Sequence, residues 1–350
     1  MTRIFLAALA LAVATPALAD TPIIIAHRGA SGERPEHTLA AYELGIDQGA
    51  DYIEPDLVVT KDGVLVARHE TEISETTDVA TREEFADRRR SKTVDGQLVN
   101  GFFAEDFTLA ELRTLRAKER IPGLRPQNAR YDGLYQIPTL EEIVRLVRAK
   151  EIEVERQIGI YPELKHSEFL LQEEGIDTVD LLLLELKRLG VTEEDPLFIQ
   201  SFEVGPLQRL DQRSAFKLVQ LVAAEGGPAD EPAMRYAEMI TPSGLAEIAA
   251  YADAIGANIG LLLDETGQAT PLVADAQSAG LLVHAWTLRK ENAFLPAALQ
   301  LDGAPPGTGC DGSLFGMLVA AGVDGVFTDD PARVRAWPNE NDRRCPVAGG

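Results

Sequence analysis

Alternation is the feature that most limits what this chain can fold into. Short apolar runs of strand character recur near residues 25, 55, 160, 199, 219, 260, 284 and 326, and seven segments between them carry a helical pattern. Strands that alternate with helices pair in parallel through crossovers, and eight such units close into a barrel. The pattern therefore predicts an α/β fold, a (β/α)8 TIM barrel with an inserted small subdomain after the second strand. A doubly wound open sheet is the alternative. Against it, Gly29-Ala30-Ser31-Gly32 lacks the glycine spacing of a dinucleotide site, and no acid caps a matching second strand.

Individual elements follow from local signals. Strands are expected at Ile23–His27 and Tyr52–Thr60, with a return run at Val64–His69 joined through Lys61-Asp62-Gly63. Thr38 is the expected N-cap of the first helix. Thr108 with Glu111, and Thr139 with Glu142, read as capping boxes. Later expectations include a strand at Gln157–Lys165, a helix around Leu170–Leu189, a helix at Leu245–Ala254 and a strand near Asn258–Leu263. Residues 70–137 break the rhythm and read as the insertion. Their run Arg88-Arg89-Arg90 is either a solvated face or an attractor for an anionic substrate.

Residues 1–19 read as a signal peptide. Arg3 precedes the apolar stretch from Ile4 to Val13, and Ala17-Leu18-Ala19 is a small-x-small cleavage site that leaves Asp20 first. The apolar stretch is shorter than the roughly 20 residues a membrane span needs. A periplasmic or secreted location follows, with one domain over 20–340 and a mobile tail at 341–350. The 350 residues would also accommodate two domains. In an exported chain the only two cysteines, Cys310 and Cys345, are a candidate disulfide, with two free thiols as the alternative. With 33 basic against 56 acidic residues, the net charge of −23 excludes nucleic acid as a natural partner. Nothing in the sequence sets the oligomeric state.

The unusual side chains gather at strand ends, where a barrel keeps its chemistry. His27 and Arg28 end the first strand. Glu54 and Asp56 lie two apart on the second, so they share a face. His69 ends the return run, Glu163 and Lys165 repeat the spacing on the third strand, and His284 and Trp286 do so on the seventh. Paired carboxylates on a buried face repel each other unless a divalent cation joins them, and hard oxygen donors suit Ca2+ or Mg2+. Two histidines beside such a centre can serve as general acid and general base, and the cationic end of the first strand, His27 and Arg28, calls for an anion.

These residues, in this order, resemble the glycerophosphodiester phosphodiesterase family, most nearly its exported periplasmic type. The resemblance rests on His27-Arg28-Gly29, Pro35-Glu36-His37-Thr38, Glu54-x-Asp56, His69, the run from Gln157 to Lys165, Val283 to Thr287, and Phe327-Thr328-Asp329. It implies metal-dependent hydrolysis of glycerophosphodiesters to sn-glycerol 3-phosphate and an alcohol. His27 and His69 would be the acid/base pair, and Glu54, Asp56 and Glu163 the metal ligands. Arg28 and Lys165 would bind phosphate. The family's proposed route uses the substrate's own glycerol hydroxyl as nucleophile. Glu36, Phe202, His284 and Trp286 are candidate pocket or supporting residues, Phe102 is a further aromatic candidate, and His37 and His166 read as structural. Two departures flank the second histidine, Arg68 for an apolar residue and Glu70 for the usual aspartate.

Two rivals remain. A phospholipase or sphingomyelinase D-like enzyme of the same superfamily would share the core but must admit lipid tails. The sequence offers no basic amphipathic segment for an anionic membrane, so no stable membrane insertion is expected. A non-catalytic binding protein for phosphate esters would not need both histidines.

Overall fold

The computed structural model describes residues 21–301, 303–338 and 344–345. The expected leader, and all of the expected tail except 344–345, lie outside the described residues.

The first strand, Ile23–His27, is apolar up to its last residue, as a strand covered on both faces requires. It pairs in parallel with the eighth, Gly325–Thr328, and with the second. The second strand runs as Tyr52–Glu54 and Asp56–Val59, and the third as Gly159–Ile160 and Glu163–Leu164. Pro55 and Pro162 interrupt them, because proline brings no N–H to the ladder. The proline carbonyls still accept, from the Glu163 N–H at 3.0 Å and the Gln200 N–H at 2.9 Å, so register survives each break. The remaining strands are Phe198–Ser201, Lys217–Val222, Ala254–Asn258 and Leu282–Leu288. Each strand pairs in parallel with its successor, so the first and last contacts close the ring.

Inside the ring, Ile25, Tyr161, Phe198, Val219 and Phe327 fill a layer, with Tyr161 and Phe198 stacked at 5.1 Å between ring centroids. The helices cover the outside. Thr38 caps Leu39–Asp47 by accepting the Ala41 N–H, and both capping boxes form at Leu109–Leu112 and Leu140–Val154. Each such cap contributes about 1 kcal/mol.

Three segments differ from expectation. The sixth strand lies at Ala254–Asn258, earlier than Asn258–Leu263, and the preceding helix spans Pro242–Ile248. Small residues carry this strand because space is short: a Cβ on Gly256 would meet Leu221 at 2.4 Å. The apolar run that follows is the helix Ile259–Leu262, capped by the Asn258 side chain. The helix expected over Leu170–Leu189 is two, Ser167–Glu173 and Thr178–Leu189. Gly175 takes φ +68° between them and Asp177 caps the second.

The insertion contains a hairpin the sequence reading passed over, Arg90–Val94 with Gln97–Gly101, turning at Asp95-Gly96. Both turn residues have positive φ, which Asp-Gly supplies readily. Around it Ile73, Phe85, Phe102 and Phe107 pack with Val58 and Val66 of the second strand and its return, Leu65–Ala67. Phe102 is thus core of the insertion and does not line a site. The basic run is paired: Arg88 with Glu111, Arg89 with Asn100, Arg90 with Asp106. Cys310 and Cys345 are joined in a disulfide. Among the described residues no helix is long and apolar enough to cross a membrane.

Candidate active site

The strand ends open into a cavity of about 730 Å³. It is lined by His27, Arg28, Glu54, His69 and Glu163, by Gln200, Phe202 and Trp286, and by an apolar group of Ile259, Leu263, Leu295, Leu299 and Met317 with Asp264 and Thr266 among them. That size and mixture suit a small organic ligand.

Local backbone geometry sets the first strand end. Arg28 has φ +59° and Gly29 φ +85°, and a Cβ on Gly29 would lie 2.5 Å from the Ala41 carbonyl carbon. A non-glycine residue in this region is costly. The turn aims the Arg28 N–H at Glu54 Oε2, 2.8 Å away. The Arg28 guanidinium reaches Glu36 at 3.1 Å and Asp56 at 3.5 Å.

Glu54, Asp56 and Glu163 come together, each offering an oxygen within 4.8 Å of the others, and all three are buried. Burial first, and then the charges of Asp56 and Glu163, push the Glu54 carboxyl well above its ordinary range. Burial with the Asp56 charge moves Glu163 up to about 8, against the pull of Lys165. Burial would raise Asp56 also, but His69, Lys165 and His37 hold it well below. Asp56 Oδ1 is buried with no hydrogen-bond partner among the described residues. A crowded all-oxygen donor set with an orphaned buried oxygen fits a hard divalent cation. Gln200 donates to Glu54 Oε1 at 3.1 Å. His37, fully buried at φ +53°, bonds Asp56 Oδ2 and the Tyr42 hydroxyl, each at 2.8 Å. Its structural role therefore serves the acidic cluster.

Each candidate acid/base histidine has its Nδ1 committed to a carboxylate. His27 Nδ1 lies 2.6 Å from Asp329 Oδ1, and His69 Nδ1 bonds Glu70 Oε1. Burial, then the Arg28 charge, lowers His27 to about 4 and, with Lys165, lowers His69 to about 3. Without an anion beside them both rings are neutral at pH 7, with Nδ1–H donating, which leaves His27 Nε2 free to accept and His69 Nε2 next to Lys165. Lys165 Nζ sits 2.8 Å from Glu163 Oε1 and 3.4 Å from His69 Nε2, over the Phe202 ring.

Other candidates fall elsewhere. His284 is 1% exposed, bonds the Tyr161 hydroxyl at 2.6 Å and packs against Phe198. It lies one barrel layer below the pocket wall that Trp286, two residues on, supplies. His166 faces away, 2.6 Å from Asp95. Glu36 does not reach the acidic cluster; it takes Arg28 and both arms of Arg120, which lies 2.9 and 2.7 Å away.

Several contributors carried no role in the sequence reading. Arg120 also grips Glu70, at 2.9 and 2.6 Å. Asp329 Oδ2 accepts from Arg125 at 2.5 Å and Arg289 at 2.9 Å. The position of Asp329 just past the eighth strand was a usable signal. Arg120 and Arg125 stand in an aperiodic loop and gave none.

Comparison with known proteins agrees with this geometry. The sequence model of the glycerophosphoryl diester phosphodiesterase family matches residues 27–333. A glycerophosphodiester phosphodiesterase of Arabidopsis thaliana is 36% identical over 330 residues, 90% of this chain and 85% of that protein. One of Haemophilus influenzae is 31% identical, over 88% and 87% of the two chains. Among solved structures, an Oleispira antarctica phosphodiesterase in complex with the product sn-glycerol-3-phosphate superposes with a TM-score of 0.61 at 23% identity, covering 91% of this chain and 98% of that one. At that identity the likeness speaks for the fold.

Proposed function

This chain belongs to the glycerophosphoryl diester phosphodiesterase family and hydrolyses glycerophosphodiesters, and from that premise we propose how its residues divide the work. One histidine of the pair His27 and His69 takes the proton of the glycerol 2-hydroxyl. That oxygen bonds phosphorus as the bond from phosphorus to the alcohol oxygen breaks, and the other histidine, protonated beside the diester anion, gives its proton to the departing oxygen. Water then opens the cyclic phosphate with the roles reversed, releasing sn-glycerol 3-phosphate. Arg28 and Lys165 hold phosphate oxygens through donated N–H bonds. Glu54, Asp56 and Glu163 would hold one Ca2+ or Mg2+, which supplies charge neutralisation at the phosphate.

One observation carries this reading: His27 and His69 face the same cavity with both Nδ1 atoms already tied to carboxylates. The test is release of sn-glycerol 3-phosphate from glycerophosphocholine, with and without EDTA, coupled to a dehydrogenase. No release at any added Ca2+ or Mg2+ would sink it. The apolar lining by Ile259, Leu263, Leu295, Leu299 and Met317 favours, as a second reading, diesters that carry an apolar group, and cleavage of lysophosphatidylcholine in place of glycerophosphocholine would establish that instead.

Export through the leader is part of the same proposal, supported by the cleavage pattern and by the disulfide, which suits an oxidising compartment. A mature protein whose mass does not begin at Asp20 would refute it.

A further inference from the structure

Both histidine–carboxylate pairs are held by the same loop. Residues 119–128 of the insertion carry Arg120 and Arg125, five positions apart. Arg120 grips Glu70, whose Oε1 takes the His69 Nδ1–H. Arg125 grips Asp329, whose Oδ1 takes the His27 Nδ1–H at 2.6 Å. The loop is itself fixed. The Leu124 and Arg125 N–H groups both return to the Ile121 carbonyl at 2.9 Å, and Arg125 and Asn128 each donate to the Ser31 carbonyl at 3.0 Å. Arg125 further reaches Glu291 at 2.7 Å, and Arg120 reaches Glu36, the partner of Arg28.

We propose that this loop is a clamp that positions both histidines, Arg120 acting on His69 through Glu70 and Arg125 acting on His27 through Asp329. A carboxylate fixes the imidazole tautomer and ring orientation only while it stays within reach of Nδ1, and a side chain that is not held can swing away from it. Glu70 has one more rotatable bond than Asp329, the partner of the other histidine, so its need is greater. A planar guanidinium that meets both carboxylate oxygens, as Arg120 meets Glu70, removes that freedom, which an ammonium does not; at Asp329 the Arg125 donor, with Arg289 beside it, takes Oδ2 and leaves Oδ1 to His27. The side chain after His69 and the loop that holds it are thus one device, and the insertion takes part in catalysis through it. The inference rests on His27 and His69 being the acid/base pair.

The experiment measures kcat and KM for glycerophosphocholine at saturating divalent ion, in Arg120→Met, Arg125→Met, Arg120→Lys and Arg125→Lys. The methionine variants are expected to lose about 10- to 100-fold in kcat, part of the 10²- to 10⁴-fold that a positioned acid or base supplies, with KM changed far less. Arg120→Met added to Glu70→Gln is expected to cost little more, because both act through one histidine. Arg120→Met combined with Arg125→Met is expected to multiply, because they act on two. With only five histidines in the chain, ¹⁵N-histidine spectra should show mixed tautomers at His69 in Arg120→Met. Arg120, at 26% side-chain exposure, is the variant that folds most readily, and the lysine forms keep the charge where Arg125→Met does not fold. Folded arginine variants with kcat within threefold of the parent overturn the clamp. So does full multiplication of Arg120→Met with Glu70→Gln. Activity retained in His27→Asn and His69→Asn overturns instead the acid/base reading beneath it.

Discussion

Asp329→Asn is the sharpest single perturbation of this site. The carboxylate is 1% exposed, with Oδ1 at 2.6 Å from His27 Nδ1 and Oδ2 taking Arg125 at 2.5 Å and Arg289 at 2.9 Å. Asparagine offers one acceptor oxygen and one donor amide. If the oxygen faces His27, the amide faces two guanidinium donors, and leaving those unsatisfied costs about 1–3 kcal/mol each. The side chain therefore turns its oxygen to the arginines and its NH2 to His27. Nδ1 must then accept, so the ring proton moves to Nε2, the atom that serves the cavity. A preference of about 2 kcal/mol or more leaves about 3% of molecules in the working arrangement. We expect kcat to fall at least about 30-fold, toward the roughly 10⁴-fold seen when the same change is made in a Ser-His-Asp triad. Loss of the buried charge is expected to cost about 3–5 kcal/mol of stability, so circular dichroism at the assay temperature must accompany the kinetics. A folded variant with kcat within tenfold of the parent would refute the tautomer argument.

Three further outcomes follow from the same geometry. His37→Phe keeps a ring but loses the Asp56 bond, and divalent-ion affinity by calorimetry should drop about 10- to 100-fold, as when outer-shell partners of metal ligands are removed; unchanged affinity would make His37 mere packing. Because Glu163 binds its proton more tightly folded, at about 8, than unfolded, its contribution is full below 4.5 and lost as pH rises through 8; without divalent ion the melting temperature should fall across that window, and Ca2+ or Mg2+ should recover most at the alkaline end. Opening the 35-residue disulfide span with Cys345→Ser should cost up to about 4 kcal/mol by loop entropy, and a melting curve indifferent to it would argue against the bridge.

The barrel was legible because its signals are local and repeated. Thr38, Thr108 and Thr139 cap where their neighbours say they should, and apolar runs end at charged residues where strands meet the cavity. The sixth strand misled because Gly256 is small for a packing reason set by Leu221 on the neighbouring strand, while the stronger apolar run beyond it is helical. His27, Glu54, Asp56 and Glu163 announced themselves as costly groups on buried strands. Arg120 and Arg125 did not, since an arginine in an irregular loop is ordinary until its distant partners are known. His284 drew notice by its spacing from Trp286 and by the run Val283 to Thr287, and depth within the barrel, which sequence does not encode, separated the two.

The bond between His27 and Asp329 joins residues 302 positions apart, across the join between the first and last strands. Nearly the whole chain must be synthesised and the ring sealed before the histidine acquires its carboxylate. A nascent chain stopped short of residue 329 lacks the carboxylate that fixes the His27 proton. The His27 carboxylate thus arrives only with the residue just past the final strand.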